Sequence, residues 1–264
     1  MKGKPQRLDA LLVERGLADS RSRAQGLILS GSVRVGERVV TKAGSRVAPD
    51  EPLALVRRDR GFASRAGEKL EGALEEFGVS IRGRACLDAG ASAGGFTDVL
   101  LRRGAKGVLA VDVGYGQLDW SLRNDPRVVV MERTNVRHLT GDGLPFQPDL
   151  LVADLSFISL SVALEGLVST TQSLREAILL VKPQFEAGPG LVGRGGLVRD
   201  PGVHKDVIRR VARFFAALDF GAVGLTRAPL PGRRARNWEY PLHLVRGEEA
   251  ALDEVRIQEV VGGG

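Results

Sequence analysis

Between residues 85 and 181 the chain alternates short apolar runs with amphipathic ones. Segments 85–89, 107–111, 128–131, 150–153 and 177–181 are near-continuous apolar stretches of strand length. Segments 95–102, 117–124, 160–167 and 204–218 carry apolar residues at helical spacing. Strands that are apolar on both faces, separated by helices, predict a parallel sheet covered on both sides. Segments 222–227 and 239–245 follow with no helical pattern between them, which predicts an antiparallel hairpin finishing the sheet. Ahead of the first strand, 66–77 places Leu70, Ala73, Leu74 and Phe77 on one helical face.

The first 58 residues follow a different pattern. Leu8, Leu11 and Leu12 predict a helix over 7–16 that stops at Gly16. Ser20 is placed to cap a second helix over 21–29, which Gly31 ends. Alternation over 32–40 around Gly36-Glu37 predicts a hairpin, and Val47 with 53–56 a short closing strand. This is a small α+β unit, 1–58. A basic connector spans 57–64, read as a linker at 59–64, and the larger α/β domain is expected over 65–264.

Charge sharpens that division. The chain has 264 residues and a net charge of +6. Residues 1–65 hold 14 Lys/Arg against 7 Asp/Glu, whereas the remainder holds 24 against 25. The whole basic excess lies in the first quarter, which suits a polyanion such as RNA or an acidic membrane surface. No charge-free apolar run reaches the roughly 18 residues of a membrane span, and the N-terminus lacks a signal-peptide core. The single cysteine, Cys86, and three dispersed histidines argue against disulfides and against a metal site. A cytoplasmic location is the expectation.

The candidate chemistry begins at Leu87-Asp-Ala-Gly90, which runs through Ala91, Ser92, Gly94 and Gly95 into Phe96 and Thr97. A strand entering a glycine-rich turn and then a helix puts unpaired backbone N–H groups beside a ligand. Asp112 ends the next apolar strand, 22 residues after Gly90, where a carboxylate can bond ribose hydroxyls. Val113 adjoins it. Asn135, after the third strand, is either an adenine-facing amide or a turn residue. Ser92 stands where a dinucleotide fingerprint would have glycine, so a nicotinamide dehydrogenase is disfavoured.

Two charges sit at strand ends: Asp154 after 150–153 and Lys182 after 177–181. Such positions lie at the ligand-binding edge of an open α/β sheet. A structural ion pair would be the plain alternative. With Lys69 in the preceding helix and Glu239 in the terminal hairpin, the order is Lys–Asp–Lys–Glu.

That tetrad resembles the one shared by FtsJ-like ribose 2′-O-methyltransferases. The string Arg7-Leu-Asp-Ala-Leu-Leu-Val-Glu-Arg-Gly16, followed by Ser20-Arg-Ser-Arg-Ala24, resembles a compact RNA-binding domain of pseudouridine synthases and tyrosyl-tRNA synthetases. Together with Ser64-Arg-Ala-Gly-Glu-Lys-Leu70, Ala153-Asp-Leu-Ser-Phe157 and Val181-Lys-Pro-Gln-Phe-Glu186, the chain resembles the TlyA family from Arg7 to about Leu244. The resemblance implies a Rossmann-like S-adenosylmethionine-dependent methyltransferase domain behind a small RNA-binding domain. It implies methylation of cytidine ribose 2′-hydroxyls in ribosomal RNA (16S and/or 23S), with ribosomal subunits as partners. The family sensitises bacteria to capreomycin and viomycin and often carries a haemolysin label. Carried over, Lys69, Asp154, Lys182 and Glu239 are catalytic. Gly90, Ala91, Ser92, Gly94, Gly95, Phe96, Asp112, Val113, Asn135 and Asp154 bind the cofactor. Arg7, Arg21, Arg23, Lys42 and Arg65 meet RNA. This chain departs from the family in having Ala93 where threonine is usual, and in a more basic stretch over 231–236.

The residue types suit the chemistry. A sulfonium methyl is already activated, so catalysis is largely positioning and proton handling. Lys182 is either a base, if its pKa falls from about 10.4 towards neutrality, or a charged clamp on the hydroxyl. The glycine-rich stretch 183–203, with Arg194 and Arg199, reads either as an RNA-ordering lid or as a solvated loop. Phe157 either stacks on an extruded base or belongs to the core. A non-enzymatic ribosome-assembly factor and a membrane-active haemolysin are the competing functions.

Overall fold

The structure, a computed structural model, describes residues 4–29, 31–55, 61–232, 236–249 and 251–263. Residues 56–60, which include half of the 57–64 connector, and part of the basic 231–236 stretch lie outside the described residues. The chain forms two compact units, 1–61 and 62–264.

In the small unit, β1 (Gln6–Arg7) leads into α1 (Leu8–Glu14) and α2 (Arg21–Leu29). Then come β2 (Val33–Val35), β3 (Arg38–Val39), β4 (Arg46–Val47) and β5 (Leu53–Leu55). Leu8, Leu11 and Leu12 pack on Ala24, Ile28 and Val33, so the apolar stripes of both helices face one core. The hairpin forms where expected: β3 and β5 flank β2, antiparallel to it, and Gly36 supplies the positive φ of its turn (φ +55°). Val47 departs from expectation. It pairs with Gln6 in a separate two-stranded sheet and does not join 53–55. The Leu8 N–H donates to the Ser45 carbonyl (2.8 Å), extending that pairing into the helix start.

The large unit begins at Phe62, not at residue 65. Its ring packs where a Cβ on Gly67 would fall, and Ala63 N–H donates to Asp98 Oδ2 (2.9 Å). Packing thus joins Phe62 and Ala63 to the large unit. The order is α3 (Ala66–Phe77), β6 (Ala85–Ala89), α4 (Gly95–Arg102), β7 (Gly107–Val111), α5 (Trp120–Arg123), β8 (Val128–Met131) and β9 (Leu150–Ala153). It continues with α6 (Leu160–Thr170), β10 (Glu176–Val181), α7 (Pro183–Glu186), α8 (Pro201–Ala216), β11 (Phe220–Leu225), β12 (Tyr240–Arg246) and α9 (Glu254–Gly262).

Seven strands make one sheet in the order β11-β12-β10-β9-β6-β7-β8. Strands β6 to β10 run parallel, and β12 is antiparallel to both neighbours. Alternate strand residues serve two cores. Leu87, Ala89, Leu109, Leu151 and Leu179 face α6 and α8, whereas Cys86, Val108, Ala110, Val152 and Ile178 face α3 and α4. Burial on both faces is why these strands read as continuous apolar runs.

Helix bounds shift where caps override periodicity. The helix expected over 117–124 shrinks to Trp120–Arg123, because Asp119 accepts from Ser121 N–H (2.8 Å) and starts it late. Helix α8 starts earlier than expected, at Pro201. Asp200 caps it and proline occupies the first turn, where its missing N–H costs nothing. Helix α9, capped by Asp253, had no counterpart in the sequence reading; it buries Ile257, Val260 and Val261.

Candidate active site

The topology changes direction between β6 and β9, whose ends are register partners at Ala89 and Ala153. Ligands of open α/β sheets bind at such a reversal. Gly90 follows β6 with φ +87°, and a Cβ there would lie 2.6 Å from the Asp154 carbonyl oxygen. Only glycine permits both the backbone angle and that approach.

A cavity of about 340 Å³ opens at this point, lined by Gly90, Ser92, Asp112, Val113, Asn135 and Asp154 among others. Asp112 is fixed by two backbone donors: Ser92 N–H to Oδ2 (2.8 Å) and Gly114 N–H to Oδ1 (2.6 Å). Asn135 is a turn residue that also faces the cavity. It lines the cavity, and its Oδ1 accepts from Arg137 N–H (3.1 Å), capping a short turn.

Four expected cofactor residues do not line this cavity. Ala91 and Phe96 are buried in the α3/α4 core. A Cβ on Gly94 would strike Leu122 and Leu118 side chains, and one on Gly95 would strike Ser64 and the Gly67 backbone. At Gly94 and Gly95 the missing Cβ lets α4 approach its neighbours closely.

A second cavity of about 480 Å³ shares Ser92, Asp154, Ser156 and Phe157 with the first. Lys69, Asp154, Lys182 and Glu239 all line it. Three of the four are buried, at 9% exposure for Lys69, 7% for Lys182 and 3% for Glu239. They form two ion pairs. Lys182 Nζ lies 2.6 Å from Asp154 Oδ1 and donates to Ser156 Oγ (3.0 Å). Lys69 Nζ donates to Glu239 Oε2. The antiparallel sense of β12 brings Glu239 here. Tyr240 opposes Val181, so the residue preceding β12 lies beside the residue following β10. A parallel strand would have put Glu239 at the opposite edge of the sheet.

Phe157 is 80% exposed and lines both cavities, so it is not a core residue. Its backbone is left-handed (φ +66°), and its ring meets Phe185 at 5.0 Å between centroids. The 183–203 stretch, read as either a lid or a solvated loop, is anchored at Gly196 and Val198. Asn237, 2% exposed, accepts from Val198 N–H (2.9 Å) and donates to the Gly196 carbonyl (2.7 Å). His204 bonds the Val198 carbonyl and the Tyr240 hydroxyl. Arg194 and Arg199 remain exposed on it, as does Arg65 at the start of α3.

In the small unit, Lys42 is exposed. Arg7 and Arg21 are exposed as well, and both lie against Asp9. The first pairing is the main cause that holds the Asp9 carboxyl well below the usual range. Arg23 is exposed in the first turn of α2, and its backbone N–H donates to Ser20 Oγ (3.2 Å).

The sequence reading missed Asp88, Ser156 and Asn237. Asp88 is wholly buried beneath the glycine turn. Burial pushes its carboxyl up to about 7, against a 2.6 Å hydrogen bond from Thr97 Oγ1, and its Oδ1 has no partner. An acid inside an apolar strand was the available signal. Asn237 offered none, because its partners lie about forty residues away in sequence.

Residues 62–244 match the FtsJ-like methyltransferase family and residues 6–53 match the S4 domain. Over 256 residues the chain is 49% identical to the 16S/23S rRNA (cytidine-2′-O)-methyltransferase TlyA of Mycobacterium tuberculosis, covering 97% of this chain and 95% of that one. It is 38% identical over 240 residues to Hemolysin A of Brachyspira hyodysenteriae, covering 90% and 99%. A solved hemolysin-labelled protein of Streptococcus thermophilus has a TM-score of 0.72 at 36% identity, covering 98% and 95%. Among the described residues no helix is long and apolar enough to cross a membrane. The tetrad-lined edge of the sheet and these full-length likenesses agree: the chain belongs to the FtsJ-like methyltransferase family, in its TlyA branch with an S4 domain ahead of the methyltransferase fold.

Proposed function

We propose that the protein transfers a methyl group from S-adenosylmethionine to the ribose 2′-hydroxyl of cytidine in ribosomal RNA, with the S4 unit docking the RNA. The observation that carries this reading is the convergence of Lys69, Asp154, Lys182 and Glu239 on one cavity, next to a second cavity floored by Gly90 and Asp112. The curated relative of 49% identity bears that activity in its name.

The residues of the smaller cavity suit the cofactor. Gly90 leaves backbone space that a Cβ would fill, and Asp112 presents a fixed carboxylate for ribose hydroxyls. Asn135 lines the same space. When bound, S-adenosylmethionine supplies an already activated methyl group, so the protein's own work is positioning and proton handling. Lys182, steadied by Asp154 and Ser156, orients the 2′-oxygen and handles its proton. Lys69 and Glu239 form the second pair facing that space and balance its charge. Phe157, backed by Phe185, offers an aromatic face on which an unstacked base rests. Water is scarce around buried charges, so each electrostatic contact acts more strongly than at the surface.

The test is direct. The protein is incubated with labelled S-adenosylmethionine and each unmodified ribosomal subunit, and label is mapped by resistance to alkaline cleavage. Label on a cytidine ribose is expected; label on a base, or none on either subunit, refutes the reading. A pH–rate profile under single turnover separates a neutral Lys182 acting as base from a charged Lys182 acting as clamp.

A further inference from the structure

Two of the arginines expected to meet RNA phosphate are tied to one buried acid. Asp9, in the first turn of α1, has no exposed surface. Arg7 donates to it through Nε (3.0 Å) and Nη2 (2.8 Å), in a fork. Gln25 from α2 donates to Oδ2 (2.9 Å), and the Ala10 N–H donates to Oδ1 (2.9 Å). Arg21, at the start of α2, brings Nη2 to 3.6 Å from Oδ1. Asp9 thus connects β1, α1 and α2. The arginines keep their outer faces in solvent, with side-chain exposures of 47% for Arg7 and 60% for Arg21.

An acid beneath a polyanion-binding face is unexpected on charge alone, since it subtracts one positive charge from the surface. Its geometry gives the reason. A guanidinium has five N–H donors, and the fork on Asp9 uses two of them on Arg7. The fork fixes the plane of the guanidinium, and the three donors left over belong to a side chain that is 47% exposed. An unpaired arginine would have to be ordered on binding, which costs side-chain entropy. We infer that Asp9 is a positioning residue for RNA docking: it holds Arg7 and Arg21 in the orientation that phosphates meet. The inference rests on the RNA-docking reading of the small unit.

The experiment measures binding of the whole protein to unmodified ribosomal subunits across a salt series. Asp9→Asn raises the net charge by one, so charge alone predicts tighter binding. Positioning predicts the reverse, a loss of about tenfold and a salt slope shallower by about one, as for a lost phosphate contact. In an Arg7→Ala/Arg21→Ala background, Asp9→Asn should weaken binding no further. Equal or tighter binding by Asp9→Asn, with the double-arginine variant weakened, overturns the positioning role alone. The same loss in both backgrounds points to fold damage and also overturns it. Undiminished binding by the double-arginine variant overturns the docking reading and the inference together. Should Asp9→Asn fail to fold, Arg7→Lys keeps the charge but breaks the fork. It should bind severalfold more weakly, and affinity equal to the unaltered protein refutes the role.

Discussion

Carboxylates hold the cationic side chains in both units, under opposite solvation. In the small unit the acid is buried and its arginines face water: Asp9 is hidden while Arg7 and Arg21 are exposed. In the large unit the cations themselves are buried, Lys69 against Glu239 and Lys182 against Asp154, around a cavity. On the proposed function, the difference follows from the partner each unit meets. Phosphates are met at a surface where counterions can be released, so the docking charges must stay wet. A single hydroxyl is acted on by fields that water would screen, so the reactive charges must be dry. Buried ion pairs contribute little net stability, which makes function the better account of the second arrangement.

The two units should therefore fail differently when a charge is removed. The largest effect is expected at Lys182. Lys182→Ala should lower single-turnover methylation by about 10²–10⁴-fold while leaving subunit binding intact. Retention of more than a tenth of the rate would remove Lys182 from the chemistry.

The next contrast is between two wholly buried acids. Asp9 is held low by its arginine, so its stabilising contribution is present above the usual aspartate pKa and is lost as acid protonates it. Asp88 has the opposite sign. Burial raises it from 3.8 to about 7, so the folded chain retains a proton that the unfolded chain has released. Its contribution falls as pH rises from about 4 to 7, by a total of about 4 kcal/mol. In Asp88→Asn that loss disappears. Urea unfolding of cofactor-free protein at several pH values should show the variant gaining on the unaltered protein as pH rises; parallel profiles would contradict the sign.

A smaller effect separates the anchored 183–203 stretch from a free lid. Asn237→Ala leaves the Val198 N–H and the Gly196 carbonyl without partners, at a cost of about 1–3 kcal/mol. Proteolysis should then cut within 190–200, and unchanged resistance there would argue that the anchor is dispensable. The smallest effect is in the small unit. Arg21→Ala should shift the salt slope of subunit binding by about one and leave the rate at saturation unchanged. A changed rate at saturation would blur the division of labour.

Much of the large unit was legible because its central strands are buried on both faces, and the half-exposed edge strand β8 is still an unbroken apolar run. The segments 85–89, 107–111, 128–131 and 150–153 coincide with β6, β7, β8 and β9. Short or local features were less so. The β1–β4 pair involves two residues per strand and carries no periodic signal. Helix α5 is set by its Asp119 cap, not by the longer apolar pattern around it. The glycine turn divides by depth: Gly90 and Ser92 face a cavity, whereas Gly94 and Gly95 make room for packing. A string of small residues does not state which of them a ligand approaches.

The sequence by itself determined the alternation of elements, the basic first quarter and the identity of the charged residues at strand ends, because period and composition are local properties. Only the tertiary structure decided that Glu239 meets Lys69, that Asn237 holds Val198 and that Asp9 serves two arginines. Those partners come from different elements. The antiparallel last strand carries Glu239 to the edge where Lys182 ends its own strand, and strand direction is fixed by how the sheet pairs, not by the residues that will meet.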